Sequence, residues 1–199
     1  MQKNAILFSS NSTCDLDLIP TKILKSSIDS LLIPITILIN LSLSEGIFPD
    51  SFKNAKVRPL LKKFSLPPDD LASYRPIFNL NFLSKILERI IHTRITEHLQ
   101  SFPSICPYQS AYRKFHSTET VLLRIQNDLL LAIDKRKLSA LVLLDLSAAF
   151  DTIDHGILLA RMSSSFGITG SALSLLSSYL TDRTQSVSIN GHTSQPSPL

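Results

Sequence analysis

The spacing of apolar positions along the chain changes several times, and each change marks an element. From Ile19 to Leu43 apolar residues recur at helical spacing, with Pro20 as a first-turn residue and Gly46 just past the end. Pro34 falls inside this stretch and removes a backbone donor, which predicts two helices divided at that point. "GIFPDSFK" reads as a turn, "NAKVRPLLKK" as a strand with a basic end, and "FSLPPDD" as a loop. "SYRPIFNL" is a short extended piece, because Arg75 precedes Pro76 and is pushed out of helical geometry.

Further on, "SKILERIIHTRITEHL" (Ser84 to Leu99) is amphipathic and predicts a helix. "STETVLLRIQNDLLLAIDKRK" predicts another, with Ser117 or Thr118 as N-cap and Lys135, Arg136 and Lys137 at the C-terminal end, where cations are favoured. Between the two lies a loop that interleaves aromatic and basic residues, "SFPSICPYQSAYRKFH". The apolar run Ala140 to Leu144 predicts a buried strand. Asp154 to Met162 and Ser171 to Leu180 predict helices, and "TQSVSINGHTS" a hairpin turning at Asn190-Gly191. Residues 1–16 read as a loose leader. Mixed helices and strands with short connections define an α+β unit.

Composition narrows the class. Hydrophobic residues make up 44% of the 199, which excludes a disordered chain. A net charge of +4 suits a polyanionic partner without requiring one. Cys14 and Cys106 form no CxxC, and the five histidines form no HExxH, so neither a zinc site nor a disulfide framework is indicated. The N-terminal apolar stretch is too short for a signal peptide, and "LLIPITILINLSL" is interrupted by Pro34 and too short to span a bilayer. An intracellular, reducing setting follows.

The chemistry concentrates in "LVLLDLSAAFDTID", where a hydrophobic run ends in Asp145 and is followed by Asp151 and Asp154. A carboxylate at the end of a buried strand is costly unless it is compensated. The residues leave two readings open. Asp145 caps the following turn, and Asp151 or Asp154 caps the next helix. Alternatively Asp145 binds Mg²⁺, which takes one or two carboxylates together with waters and substrate phosphates. Lys62, Lys63 and Arg75 likewise read either as a solvated basic edge or as phosphate ligands. Tyr108, Tyr112 and Phe115 either pack under the following helix or stack on bases.

"LVLLDLSAAFDTIDH" resembles the first catalytic motif of reverse transcriptases of non-LTR (LINE-type, jockey-like) retrotransposons. "VRPLLKK", "SYRPIFNLNFLSKILERII", "QSAYRKFHSTETVLLRIQNDLLLAID" and "FGITGSALSLLSSYLTDRTQSVSINGHTSQPSPL" resemble further blocks of that family in the same order. The resemblance runs from about Cys14 onward and implies a partial right-hand polymerase fold, helix-rich with short antiparallel strands. Residues 1–50 would be a helical segment upstream of the core, and 51–199 the fingers and an incomplete palm.

By the same resemblance Asp145 is a catalytic residue and ligand of two Mg²⁺ ions, and Phe150 is the steric gate against a ribose 2′-hydroxyl. The small residues Ser147, Ala148 and Ala149 let the backbone approach the triphosphate. Lys62 and Arg75 clamp it, and Gln109 and Arg113 lie on the path of template and nucleotide. The implied partners are an RNA template, a DNA primer and deoxynucleotide triphosphates, with the nucleus as the place of action.

Two residues depart from the family pattern: Phe78, where a small polar residue is common, and Phe115, where Gly is frequent. The family pattern continues with Gly-x-Pro-Gln-Gly and Tyr-Ala-Asp-Asp blocks. The sequence reaches Leu199 without either and contains no YxDD. This implies a fragment that does not polymerise alone, holds Mg²⁺ poorly, and is marginally stable or prone to aggregate; the alternative is a non-catalytic nucleic-acid-binding remnant or a relic reading frame without selected function.

Overall fold

The first helical segment divides at Ser27, not at Pro34: α1 is Thr21–Ser26 and α2 is Ile28–Glu45, with Pro34 inside α2. The expected break fails for a local reason. Pro34 and Ser30, the residue four before it, both face solvent, so water can satisfy the Ser30 carbonyl that proline leaves without a partner. In this computed structural model the described residues are 15–100, 106–146, 149 and 151–199. Most of the leader read over residues 1–16 lies outside them. Its described end is anchored, because Asp15 pairs with Lys56 and Arg58 at 3.5 and 3.4 Å, and Asp17 Oδ1 accepts the Phe82 amide at 2.8 Å.

The chain divides into two compact units, Met1–His98 with Asp154–Leu199, and Leu99–Ile153. In the first unit, α2 ends at Gly46 in the left-handed conformation (φ 71°), followed by the 3₁₀ turn Asp50–Phe52 and strand β1, Asn54–Leu61. β2 is Tyr74–Asn79, α3 is Phe82–Gln100, α5 is His155–Phe166 and α6 is Gly170–Leu180; α4, Thr118–Asp134, belongs to the second unit. β3, Thr184–Ile189, turns through Asn190 and Gly191, both at positive φ, into β4, His192–Thr193, and β5 is Ser197–Pro198. Both turn residues are types that tolerate positive φ, so the hairpin forms where the sequence places it.

The sheet order is β2-β1-β3-β4, with β5 also on β3. β1 pairs antiparallel with β2 and parallel with β3, so the sheet is mixed and not purely antiparallel as expected. Ala55 and Val57 on β1 are buried, as expected for a central strand.

The core of this unit gathers Ile35 and Ile39 of α2, Phe48, Phe52, then Phe82, Ile86, Leu87 and Ile90 of α3, and Leu175 of α6. Phe48 and Leu87 are wholly buried, each contributing about 1.5–3 kcal/mol relative to exposure. Phe48 meets Phe52 and Tyr179 edge-on, with centroids 6.1 and 5.0 Å apart. α2 is long and apolar enough to cross a membrane by length and composition, yet Ile28, Ile35, Ile39 and Ser42 are buried within this fold.

The second unit contains α4, Thr118–Asp134. Ser117 caps it, its hydroxyl accepting the Thr120 amide at 3.3 Å while Thr120 Oγ1 accepts the Ser117 amide at 3.0 Å. The strand expected over Ala140 to Leu144 is absent. These residues pair with no strand among the described residues, and Leu141, Val142, Leu143 and Leu144 are exposed. A strand requires hydrogen-bonding neighbours, and apolar character alone does not provide them.

Candidate nucleic-acid interface

Lys62 and Arg75 lie on one hairpin. Leu60 pairs with Arg75 and Leu61 with Tyr74, and the Lys62 amide donates to the Ser73 carbonyl at 2.9 Å. The turn is stiffened by Asp70, which accepts the Ala72 amide at 2.9 Å, and by the Tyr74 hydroxyl, which donates to the Pro68 carbonyl at 3.0 Å. Lys62 Nζ donates to the Ala72 carbonyl at 2.7 Å, which uses one of its three protons. Arg75 is exposed, with no partner for its guanidinium among the described residues. The hairpin therefore presents a free fork of donors beside a partly engaged ammonium.

Gln109 and Arg113 are also brought together, in the second unit. Arg113 Nη1 donates to the Gln109 carbonyl at 3.1 Å and to the Cys106 carbonyl at 3.5 Å. The loop is a succession of three turns, closed by Gln109 N–H to Cys106 O (3.1 Å), Arg113 N–H to Ser110 O (3.3 Å) and His116 N–H to Arg113 O (3.3 Å). His116 Nδ1 lies 3.1 Å from Ser110 Oγ, which supports a structural role for that histidine. Tyr108, Tyr112 and Phe115 do not pack under α4. They are 75%, 86% and 89% exposed. Phe115, at the position where the resembling family often carries Gly, has φ +66°.

Asp145 is exposed in the second unit, next to the unpaired apolar run. Ala149 lies in a turn, its carbonyl 3.5 Å from Thr152 Oγ1, while Ser147, Ala148 and Phe150 lie outside the described residues. Asp154 is a helix cap, as one of the two readings had it: its Oδ1 accepts the Ile157 amide at 2.8 Å at the start of α5. Among the described residues no group of three or more His, Cys, Asp or Glu side chains converges. Asp145 would therefore be a single protein carboxylate on a Mg²⁺ ion, whose other ligands would be waters, substrate phosphates or a further carboxylate.

A cavity of about 360 Å³, lined by Leu43, Ile91, Arg94, His98, Ile168 and Leu175 among others, contains none of these site residues. Sequence reasoning missed one polar cluster. The Tyr179 hydroxyl donates to Glu88, and the Arg183 guanidinium lies 4.6 Å from the Tyr179 ring centroid. Glu88 and Tyr179 are 91 positions apart, so no local signal could have joined them.

Residues 61–198 match the model of one family, the reverse transcriptases (RNA-dependent DNA polymerases), and the chain belongs to that family. Its relatives are polymerases of mobile elements. It is 30% identical over 183 residues to the RNA-directed DNA polymerase from mobile element jockey of Drosophila melanogaster, covering 92% of this chain and 20% of the relative. It is 30% identical over 175 residues to the Drosophila funebris protein of the same name, covering 88% of this chain and 19% of that one. To the probable RNA-directed DNA polymerase from transposon BS of Drosophila melanogaster it is 29% identical over 162 residues, covering 81% of the chain and 18% of the relative. The chain thus spans about a fifth of the length of these relatives. The resemblance to jockey-like elements is borne out. The family is generally divalent-metal dependent and works with an RNA template and nucleotide substrates.

Proposed function

We propose that this chain supplies the fingers and first part of the palm of a right-hand RNA-directed DNA polymerase encoded by a non-LTR retrotransposon. Residues 1–50 form the helical segment before the core, and 51–199 the fingers and incomplete palm. The incoming triphosphate binds the free guanidinium of Arg75, with bidentate geometry available, and the two protons of Lys62 Nζ that Ala72 does not use. The small side chain of Ala149 lets the backbone approach the triphosphate, and Phe150 closes the space a 2′-hydroxyl needs. Gln109 and Arg113, held together in one loop, border the path of the template.

Asp145 is the metal-binding catalytic carboxylate, and Mg²⁺ supplies charge stabilisation at the transferring phosphate when a second carboxylate completes its site. RNA template, DNA primer and deoxynucleotide triphosphates are the partners, and the setting is intracellular, with the nucleus as the place of action. The 199-residue chain by itself does not extend a primer.

The observation that supports this reading is the family match across residues 61–198, which includes the basic hairpin from Leu61 onward and the whole aromatic loop. The test replaces the matching segment of the jockey polymerase with residues 15–199 of this chain. Primer extension on RNA is expected, with Arg75→Ala raising the KM for deoxynucleotide about tenfold, as loss of a charge-assisted contact does. An unchanged KM contradicts the clamp.

A further inference from the structure

Each of the three turns between Cys106 and His116 carries an aromatic residue at its third position: Tyr108, Tyr112 and Phe115. Two of them are strained. Tyr112 and Phe115 have φ of 60° and 66°, a region that bulky side chains rarely enter and that costs about 1–2 kcal/mol per residue. Neither residue is repaid by burial, since both are almost fully exposed. Strain without packing is a reason to look for function.

The charge along the loop has one sign. No Asp or Glu occurs between Glu97 and Glu119, whereas Arg113 and Lys114 lie within the loop. Lys114 Nζ lies 4.9 Å from the Phe115 ring centroid, and the Arg124 guanidinium 5.1 Å from that of Tyr108. Exposed rings beside cations, with no acid among them, complement a chain of bases joined by phosphates.

We propose that Tyr108, Tyr112 and Phe115 form a stacking surface for unpaired bases of single-stranded nucleic acid, with Phe115 the leading contact. The inference rests on the polymerase reading above and goes beyond it. Three aromatic side chains bind the strand, RNA or DNA alike, because every base offers a ring face. Lys114 and Arg124 neutralise the flanking phosphates. Duplex binds more weakly because its bases are already stacked on each other.

The test uses the 199-residue chain with fluorescein-labelled rU15, dT15 and a 15-base-pair duplex, read by fluorescence anisotropy at several salt concentrations. Tyrosine emission is followed in parallel, since the chain has four Tyr and no Trp. Both single strands bind alike, more tightly than duplex, and quench tyrosine emission. Phe115→Leu weakens their binding about fivefold or more with the salt dependence unchanged, because a ring and not a charge is lost. Phe115→Gly weakens it equally although it relieves the positive φ and does not lower the melting temperature.

Lys114→Ala reduces the salt dependence by about one phosphate contact. Parent chain that binds single strands as tightly as Phe115→Leu and Phe115→Gly overturns the stacking surface and leaves the polymerase reading standing. Parent chain that binds no single strand overturns the stacking surface, and extension by the jockey chimera then decides the polymerase reading separately.

Discussion

The Tyr179 hydroxyl donates a 2.9 Å hydrogen bond to Glu88 Oε1, tying α6 to α3 beside the buried ring of Phe48. Burial pushes the Glu88 carboxyl up from its ordinary value, against the opposing effects of Tyr179, Arg183 and Lys85. Burial and the neighbouring Glu88 charge push the Tyr179 phenol up to about 12. A carboxyl whose folded pKa is raised favours its protonated form. Its stabilising contribution is present below the unfolded pKa and is lost as pH rises through the folded one. Glu88→Gln keeps an acceptor for Tyr179 and has no proton to lose. Its melting temperature should gain on the parent as pH rises from about 4 to 7. A difference that stays constant across that window contradicts a raised Glu88.

Gly46 and Gly191 separate two costs of a side chain. Both have positive φ, 71° and 84°. A Cβ on Gly46 would lie 2.7 Å from the Ser171 carbonyl oxygen and 2.9 Å from Ser174 Cβ, whereas one on Gly191 meets nothing within 4 Å. Gly191→Ala should cost about 1 kcal/mol of conformational energy, and Gly46→Ala that plus the displacement of α6. Chemical denaturation of the two variants measures the difference, and equal losses would contradict the close approach.

Phe48 and Phe78 contrast core with surface. Phe48→Ala should cost about 3–5 kcal/mol, a large part of a typical domain's stability. Phe78 on β2 is 47% exposed, and Phe78→Ser should change stability by less than about 1 kcal/mol. A large loss at Phe78 would show that it packs in the hairpin, despite standing where the resembling family commonly carries a small polar residue.

The exposed run Leu141 to Leu144 sets the solution behaviour. Four consecutive exposed apolar residues, with no strand partner among the described residues, are a template for pairing between chains. Leu143→Lys should slow the growth of light scattering several-fold at a fixed protein concentration. Unchanged scattering would place the aggregating surface elsewhere, with the exposed Ile33, Ile37 and Leu41 of α2 the next to test.

What was legible in the sequence was local. The Ser117 cap, the Asp154 cap and the turn at Asn190-Gly191 each depend on residues within four positions, and each forms. The helices over Phe82–Gln100 and Gly170–Leu180 follow from apolar period and form within two residues of expectation. Pro34 was misread because the rule assumes a carbonyl with no alternative partner, and Ser30 faces water. The parallel pairing of β1 with β3 and the Glu88–Tyr179 bond join distant segments, which no window of sequence displays. The Ala140 to Leu144 strand failed for the converse reason, because its pattern was present but no pairing partner stands beside it among the described residues. At the candidate site, the basic and aromatic residue types could be read, but the turn geometry that exposes Tyr112 and Phe115 could not.

The most direct test of the central claim is primer extension on an RNA template by the jockey chimera, comparing Asp145 with Asp145→Asn in the presence of Mg²⁺. Asn keeps the shape and removes the charge. Loss of extension by about a thousandfold or more, with template binding retained, is expected if Asp145 is the carboxylate that holds the catalytic metal. Comparable extension by Asp145→Asn would remove Asp145 from the reaction and with it the palm reading of this chain.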